Sequence, residues 1–223
     1  MNLREWPAEE RPREKLLARG PQALSDAELL AVFFGTGLPG RNAIDLGREL
    51  LARRGGLRGL LSLTGSELVR ESGLGPARAA RLVAALELAT RHLATRLDRP
   101  GAIAHPRHAG EYFRARLRDR TREVFACLFV DTRHRPIAME ELFHGTLDSS
   151  EVHPREVVKR ALEHNAAAVV FAHNHPSGVA EPSAADRTLT HALREALTLV
   201  GVRVLDHFVI GDEVTSFAER GWL

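Results

Sequence analysis

The stretch VVFAHNHPSGVAEPSAADRTL, residues 169–189, brings two imidazoles, a hydroxyl and a carboxylate into a short span of chain. Its opening apolar run suits a buried strand. Alternate side chains of a strand share a face, so His173 and His175, two apart at the strand end, aim at one point. Seven residues of turn follow before Ser183, and Asp186 comes three residues after that. Ser183 and Asp186 fit the first turn of a helix, where an aspartate projects back toward the strand end. His173, His175 and Asp186 are then three candidate metal ligands, with one coordination position open. Two neutral imidazoles and one carboxylate match a catalytic zinc site, in which water takes the fourth position and has its pKa lowered toward neutrality. A structural zinc site would draw on several thiolates, and the chain has a single cysteine, Cys127, inside the apolar run VFACLFV. Iron and manganese accept the same ligands, with zinc favoured.

A blander reading competes at each half of this pattern. Ser183-Ala-Ala-Asp186 is also an ordinary helix start, with a serine cap and an acid at the positive end of the helix dipole. A lone His-x-His occurs by chance at loop edges. The combination of both at the end of an apolar strand is what makes the metal reading specific.

The run H-N-H-P-S-G through Ser183 to Asp186 resembles the motif of the MPN-domain (JAMM) metalloproteases, and its context is similar to the bacterial RadC family (UPF0758). The similarity continues through EVHPREVVKRALEHNAAAVVFAHNHPSG, RVLDHFVIG, the closing SFAERGW and the leader PREKLLARGPQALSDAELLAVFFGTG, nearly the whole chain. The resemblance implies a zinc-dependent hydrolase that cleaves a peptide or isopeptide bond of a protein or peptide substrate. It implies zinc ligation by His173, His175 and Asp186, and a supporting role for Ser183 in holding the tetrahedral intermediate. It also implies a glutamate general base, which takes a proton from the metal-bound water and passes it to the leaving nitrogen. Glu123, opening EVFACLFVD, is the matching position. Glu151, Glu156 and Glu181 are rivals: Glu156 fits the first turn of a helix, and Glu181 sits on the turn between the ligands. His144 and His207 are assigned mostly to structure, with support of the metal ligands as the alternative for either, and His153 caps or orients a helix. A cytidine-deaminase reading fails because that signature needs H-x-E and P-C-x-x-C, which are absent.

These side chains must be held by a sheet. EVFACLFVD and RPIAMEELFHGT read as two strands joined by the turn TRH, and HPREVVKRALEHN as a helix with Pro154 at its first position. AAAVVFAH is a short apolar run suited to a central strand covered on both faces. A helix from about Ser183 to Val200 and a last strand VRVLDHFVIG complete the unit. The order strand, strand, helix, strand, helix, strand predicts a mixed sheet flanked by helices. By resemblance this is the MPN architecture, akin to that of cytidine deaminases.

Residues 12–97 read as helical throughout. Ser25 with Glu28 forms a capping-box signature, and Gly55-Gly56 ends a further amphipathic segment. RPGAIAHPRHAG then marks a linker or domain entry. The fold class is therefore α/β (α+β), with a helical domain over residues 1–98 and a catalytic domain over 101–223. Within the first, SELVRESGLGPARAARLVAALELATR resembles a helix-hairpin-helix, at about residues 64–97. There Gly73 and Gly75 allow the sharp turn, and Arg78 and Arg81 with the helix-start amides offer phosphate contacts to DNA of any sequence.

The alternative function is thus a DNA-associated protein of repair or recombination, with nuclease chemistry at the metal. Two-metal nucleases usually require more carboxylates than this pattern supplies, which favours amide hydrolysis. The 31 basic and 29 acidic residues give a formal charge of +2, so no global polycation announces nucleic-acid binding. An apolar fraction of 44% is ordinary for a globular chain. No apolar stretch approaches a membrane span, and MNLREWPAEERPREK carries charges where a signal peptide needs an apolar core. The expected location is the cytoplasm.

Overall fold

The computed structural model describes residues 3–97, 106–145 and 152–223, which fall into two compact units, Met1–Leu88 and Ala89–Leu223. The first unit is helical. Its α1 (Pro12–Arg19), α2 (Asp26–Phe34), α3 (Ala43–Arg54), α4 (Leu57–Leu61), α5 (Gly65–Arg70) and the first part of α6 (Gly75–Leu97) enclose a core of Leu30, Phe34, Ile44, Leu46, Leu50, Leu60, Leu68, Leu74 and Leu82. Start and stop signals act where expected. Ser25 and Glu28 form a complete capping box on α2, and Gly55 takes the left-handed conformation at the end of α3.

The expected hairpin joins α5 to α6, with Gly73 at φ +94° and Gly75 at φ +61°. A Cβ at Gly73 would lie 2.5 Å from Leu46 Cδ1, and Leu46 is fully buried, so it has nowhere to swing. Gly73→Ala is therefore expected to destabilise this unit by about 1–3 kcal/mol. A urea titration should show a lower midpoint at unchanged slope; equal midpoints would show that the turn relaxes freely.

The two arginines after the hairpin, expected as possible phosphate contacts, also make bonds within the chain. Arg78 donates to the carbonyls of Gly73 at 2.7 Å, Thr36 at 2.7 Å and Gly37 at 2.9 Å, and Arg81 donates to the Phe33 carbonyl at 3.0 Å. Both guanidinium groups thus satisfy carbonyls at the end of α2 and just beyond it.

The second unit is a five-stranded mixed sheet in the order β2-β1-β3-β4-β5, built from β1 (Val124–Val130), β2 (Pro136–His144), β3 (Ala168–Asn174), β4 (Arg203–Ile210) and β5 (Val214–Ser216). β1 lies antiparallel to both β2 and β3, β3 and β4 are parallel, and β5 returns antiparallel to β4. The remaining helices are α7 (Pro106–Leu117), α8 (Pro154–Glu163) and α9 (Ala184–Thr198).

Every residue of β1 and β3 is buried, as a strand covered on both faces requires. Their alternation sorts the core. Val124, Ala126, Leu128, Ala168, Val170 and Ala172 pack with Tyr112, Phe113 and Leu117 of α7. Phe125, Cys127, Phe129, Val169 and Phe171 pack with Val157 and Ala161 of α8 and Leu193 and Leu197 of α9. His173 and His175 continue the second series, so both belong to the α9 side of the sheet.

Two elements differ from expectation. RPGAIAHPRHAG was expected to be a linker or domain entry without a helix of its own, yet α7 begins within it at Pro106; residues 98–105 lie outside the described residues. Apolar Ala109, Tyr112, Phe113 and Leu117 recur at helical spacing and cover the sheet, which is why the segment folds. The short β5 has no counterpart in the expected strand order. The unit boundary falls inside α6, ahead of the proposed break at Asp98, because Leu93 and Ala94 already pack on the sheet's core.

Candidate metal centre

The central β3 delivers its last side chains to the C-terminal edge of the parallel pair β3/β4. His173 is 2% exposed, and His175 follows just past the strand, its backbone N–H held by the Ile210 carbonyl at 2.9 Å. The crossover helix α9 then begins at the same edge, with Ser183 as its N-cap and Asp186 three residues on.

The cap reading and the ligand reading of this segment coexist. Ser183 Oγ accepts from the Asp186 N–H at 3.1 Å and donates to Asp186 Oδ2 at 2.7 Å, and the Ser183 N–H also donates to Oδ2 at 2.7 Å. These bonds orient the carboxylate so that Oδ1 lies 3.3 Å from His173 Nε2 and Oδ2 lies 3.8 Å from His175 Nε2. The capping box is thus also the device that aims the carboxylate. Because the Ser183 hydroxyl proton is engaged with Asp186, donation to an oxyanion would require that bond to be given up.

The ligand atoms of His173, His175 and Asp186 lie within 4.8 Å of one another, with the two Nε2 atoms 3.1 Å apart. Tetrahedral coordination with bonds of about 2.0–2.1 Å sets ligand atoms about 3.3 Å apart, so the donor set fits a zinc ion. His175 Nδ1 lies 2.8 Å from the Val179 carbonyl, which only accepts. Nδ1 therefore carries a proton, and Nε2 is the ring atom that His175 turns to the centre. Two imidazole nitrogens and a carboxylate converging in this way offer a metal ion three donors.

Burial alone would raise the Asp186 carboxyl, but the hydrogen bond and charge of His173 and the hydrogen bonds of Ser183 outweigh it. The group is held well below the ordinary carboxylate range and is ionised at neutral pH.

Behind His173 stands His207, fully buried on β4. His173 Nδ1 meets His207 Nε2 at 2.8 Å, and His207 Nδ1 meets Thr190 Oγ of α9 at 2.6 Å. Burial, and then the neighbouring His173, push the His207 imidazole well below its ordinary pKa, so it is neutral. The sequence favours a hydrogen-bonded structural histidine at His207, with support of the metal ligands as the alternative, and it is the alternative's position that His207 occupies. The available signal was its register: His207 pairs with Phe171 on β3, two residues before His173.

A cleft of about 420 Å³ opens over the centre, lined by Glu123, His173, His175, Ser183 and Asp186 together with apolar Phe125 and Val152. Of the four glutamates considered, Glu123 borders this cleft. Glu181 forms a double ion pair with Arg220 at 2.7 and 2.9 Å, Glu156 sits in the first turn of α8, and Glu151 lies outside the described residues. His153 occupies the N-cap of α8 as expected, although its side chain makes no capping hydrogen bond; its ring instead lies edge-on to Phe143.

The residue between the two histidines holds Glu123 in place. Asn174, fully buried, accepts from the Val124 N–H at 2.8 Å and donates to the carbonyls of Arg122 at 3.1 Å and Arg120 at 3.3 Å. One amide therefore clamps the segment that carries Glu123 against the strand that carries the histidines. Asn174→Ala leaves a buried N–H without its partner and is expected to cost about 1–3 kcal/mol. Amide exchange at Val124 should accelerate while metal content is unchanged, and an unaltered exchange rate at Val124 would refute the clamp.

The sheet order, the helices on both its faces and the donor cluster at the end of the parallel pair define a domain of the JAB type. Residues 103–222 match the RadC-like JAB domain, and residues 3–80 match the UPF0758 N-terminal family. The chain is 60% identical over 224 residues to the UPF0758 proteins of Xanthomonas euvesicatoria pv. vesicatoria and Xanthomonas campestris pv. campestris, and 59% identical over 223 residues to that of Thioalkalivibrio sulfidiphilus. Each alignment covers 100% of both chains. The chain belongs to the RadC (UPF0758) family. Among the described residues, no helix is long and apolar enough to cross a membrane.

Proposed function

We propose that the protein is a zinc-dependent hydrolase of the JAMM type acting on an amide bond of a protein or peptide, in peptide or isopeptide linkage, in the cytoplasm. The observation that carries this reading is the convergence of His173, His175 and Asp186, a complete three-ligand set, on a cleft that Glu123 also borders. A zinc ion bound there supplies Lewis acidity, polarising the substrate carbonyl and lowering the pKa of a water in its open position.

The chain's own residues supply the rest. The imidazoles present Nε2 to the metal and keep it from being displaced, and Asp186, ionised and aimed by Ser183, adds the single negative charge of the donor set. Glu123 takes the proton of the attacking water and delivers it to the leaving nitrogen. Ser183 steadies the tetrahedral oxyanion once its hydroxyl turns from Asp186. Phe125 and Val152 give the cleft an apolar wall that limits competing water.

Non-specific DNA association through the hairpin, with a role in repair or recombination, is the second reading. It has less support, because Arg78 and Arg81 already serve carbonyls of their own chain.

The test has two stages. Mass spectrometry of the purified protein should find close to one zinc per chain, lost in the His173→Ala/Asp186→Ala double variant while circular dichroism stays unchanged. The zinc-loaded protein is then challenged with peptide and isopeptide libraries and with single- and double-stranded DNA. Amide cleavage abolished by a chelator supports the hydrolase; wild-type protein that resists zinc loading, or cleavage confined to DNA, overturns it.

A further inference from the structure

Of the three metal-site residues, His175 alone stands outside regular structure. His173 belongs to β3 and Asp186 to α9, while His175 opens the turn that leaves the strand. Two contacts fix it: its backbone N–H donates to the Ile210 carbonyl at 2.9 Å, and its ring Nδ1 meets the Val179 carbonyl at 2.8 Å. The Val179 side chain is 61% exposed, so packing does not place that carbonyl. Its position comes from the backbone beside it. There Gly178 is buried; its N–H donates to the His175 carbonyl at 3.0 Å, and its carbonyl accepts the Asp212 N–H at 2.7 Å.

Asp212 lies in the turn between β4 and β5, and Arg118, just past α7 and 94 residues away in the chain, holds its side chain. Arg118 Nε donates to Asp212 Oδ1 at 3.1 Å, and Nη2 donates to the same oxygen. The pair lies against Gly178: a Cβ there would come 2.7 Å from Asp212 Oδ2 and 2.9 Å from Arg118 Nη2. Gly178 also sits at φ +92°, a conformation that side chains with a Cβ rarely adopt. A Cβ at Gly211 would likewise run into the Gly178 carbonyl and the Ala180 nitrogen. Two glycines thus bring the turns into backbone contact, and the ion pair closes over them. Arg118 is 8% exposed and its partner's side chain 71% exposed, and among the described residues the buried Arg118 Nη1 has no hydrogen-bond partner. Desolvation of the guanidinium therefore offsets much of the attraction, and the pair adds little net stability. What it adds is a single geometry.

We infer that Arg118 and Asp212 are positioning residues of the metal seat: they brace the turn 176–180 so that the Val179 carbonyl stays where it holds the His175 ring. Neither belongs to the donor set, and both act through His175. The same contact gives a use to the glycines of two segments, H-P-S-G and V-I-G-D, that the donor set itself does not require. The effect on zinc rests on the hydrolase reading above; the effect on the turn does not.

Arg118→Met tests the brace, because it keeps the aliphatic stem and removes the charge. In the metal-free full-length protein, hydrogen exchange should accelerate at the Gly178 and Asp212 amides and stay unchanged at Phe171 in β3. Zinc affinity, measured by chelator competition, should weaken about tenfold, the low end of what loss of an outer partner costs. Leu197→Ala, at the far end of α9 from Asp186, is the control for instability alone: it lowers the melting temperature and should leave zinc affinity at the wild-type value. Asp212→Ala should lose as much affinity as Arg118→Met, and the double variant no more than either, since the two side chains act as one unit. Wild-type exchange at both amides in Arg118→Met sinks the brace. Faster exchange with unchanged zinc affinity, an equal loss in Leu197→Ala, or additive losses in the double variant overturn the positioning role. Wild-type protein that binds no zinc, with the exchange change still present in Arg118→Met, removes the hydrolase reading and leaves the brace of the turn standing. Should Arg118→Met not fold, Asp212→Ala, altered at an exposed side chain, carries both measurements with the same expected and overturning results.

Discussion

Replacing Glu123 by glutamine is expected to reduce amide hydrolysis about 10²–10⁴-fold while zinc content and thermal stability stay at wild-type values. Glutamine matches glutamate in length and shape and forms hydrogen bonds, but it cannot take up the proton that the attacking water must lose. The Glu123 backbone is tied down, by the bond from the Gly145 N–H to its carbonyl at 2.8 Å and by the Asn174 clamp on the adjoining residues, so the segment is held without that carboxylate. The side chain is half-buried and lines the cleft, one residue before β1. A merely structural carboxylate would give the opposite pattern, with stability lost and turnover kept. The measurement is the initial rate on whichever amide substrate the library screen yields, with zinc quantified in the same samples. A Glu123→Gln protein that retains zinc and hydrolyses at the wild-type rate eliminates Glu123 as the base.

How much of this centre can be read from sequence depends on how far apart the cooperating residues lie in the chain. His173, His175 and Asp186 are legible because their geometry is local: a strand's period of two aligns the imidazoles, and a capping box fixes the carboxylate three residues into the next helix. Phe125, Phe171 and the other core residues follow from the same period. His207 is not legible in this way. It stands in an apolar strand, and its meaning comes from a partner on β3 and another on α9, joined only once the parallel crossover has formed. Asn174 is similar, since its partners at 120–124 precede it by fifty residues. Arg78 meets the same limit. On an amphipathic helix after a glycine hairpin it reads as a possible phosphate contact, and its bond to Thr36, 42 residues earlier, has no sequence signature. α7 was legible in part: Pro106 suits a first helical position and the apolar spacing was present, but the surrounding prolines and glycines outweighed it.

Zinc is expected to stabilise the second unit strongly, and the dependence on ligand identity separates a built metal seat from a fortuitous cluster. A ligand that binds only the folded state adds RT ln(1 + [L]/Kd), about 4.1 kcal/mol at free zinc a thousandfold above Kd, or about 8–16 °C in Tm for a domain of this size class. The folded chain has already met the costs of binding that a flexible site would face. Asp186 is fixed by the Ser183 capping box and is ionised, His175 is oriented by the Val179 carbonyl, and His173 is buried against His207. The unfolded chain has His173 and His175 near each other but neither the helix that aims Asp186 nor the strand that aligns the rings, so its affinity is far lower. Two imidazoles favour zinc, and manganese follows weakly in the usual order of divalent affinities, whereas magnesium and calcium prefer oxygen donors and are expected to shift Tm little. His173→Ala should abolish the zinc shift outright, because it removes the buried ligand that both other donor groups face. Differential scanning calorimetry of wild type and variant, each with zinc, magnesium and chelator, decides the matter. A zinc shift that survives His173→Ala would place the metal elsewhere on the chain, and equal shifts with zinc and magnesium would mean that the seat selects for charge alone and not for the nitrogen donors that β3 and α9 bring together.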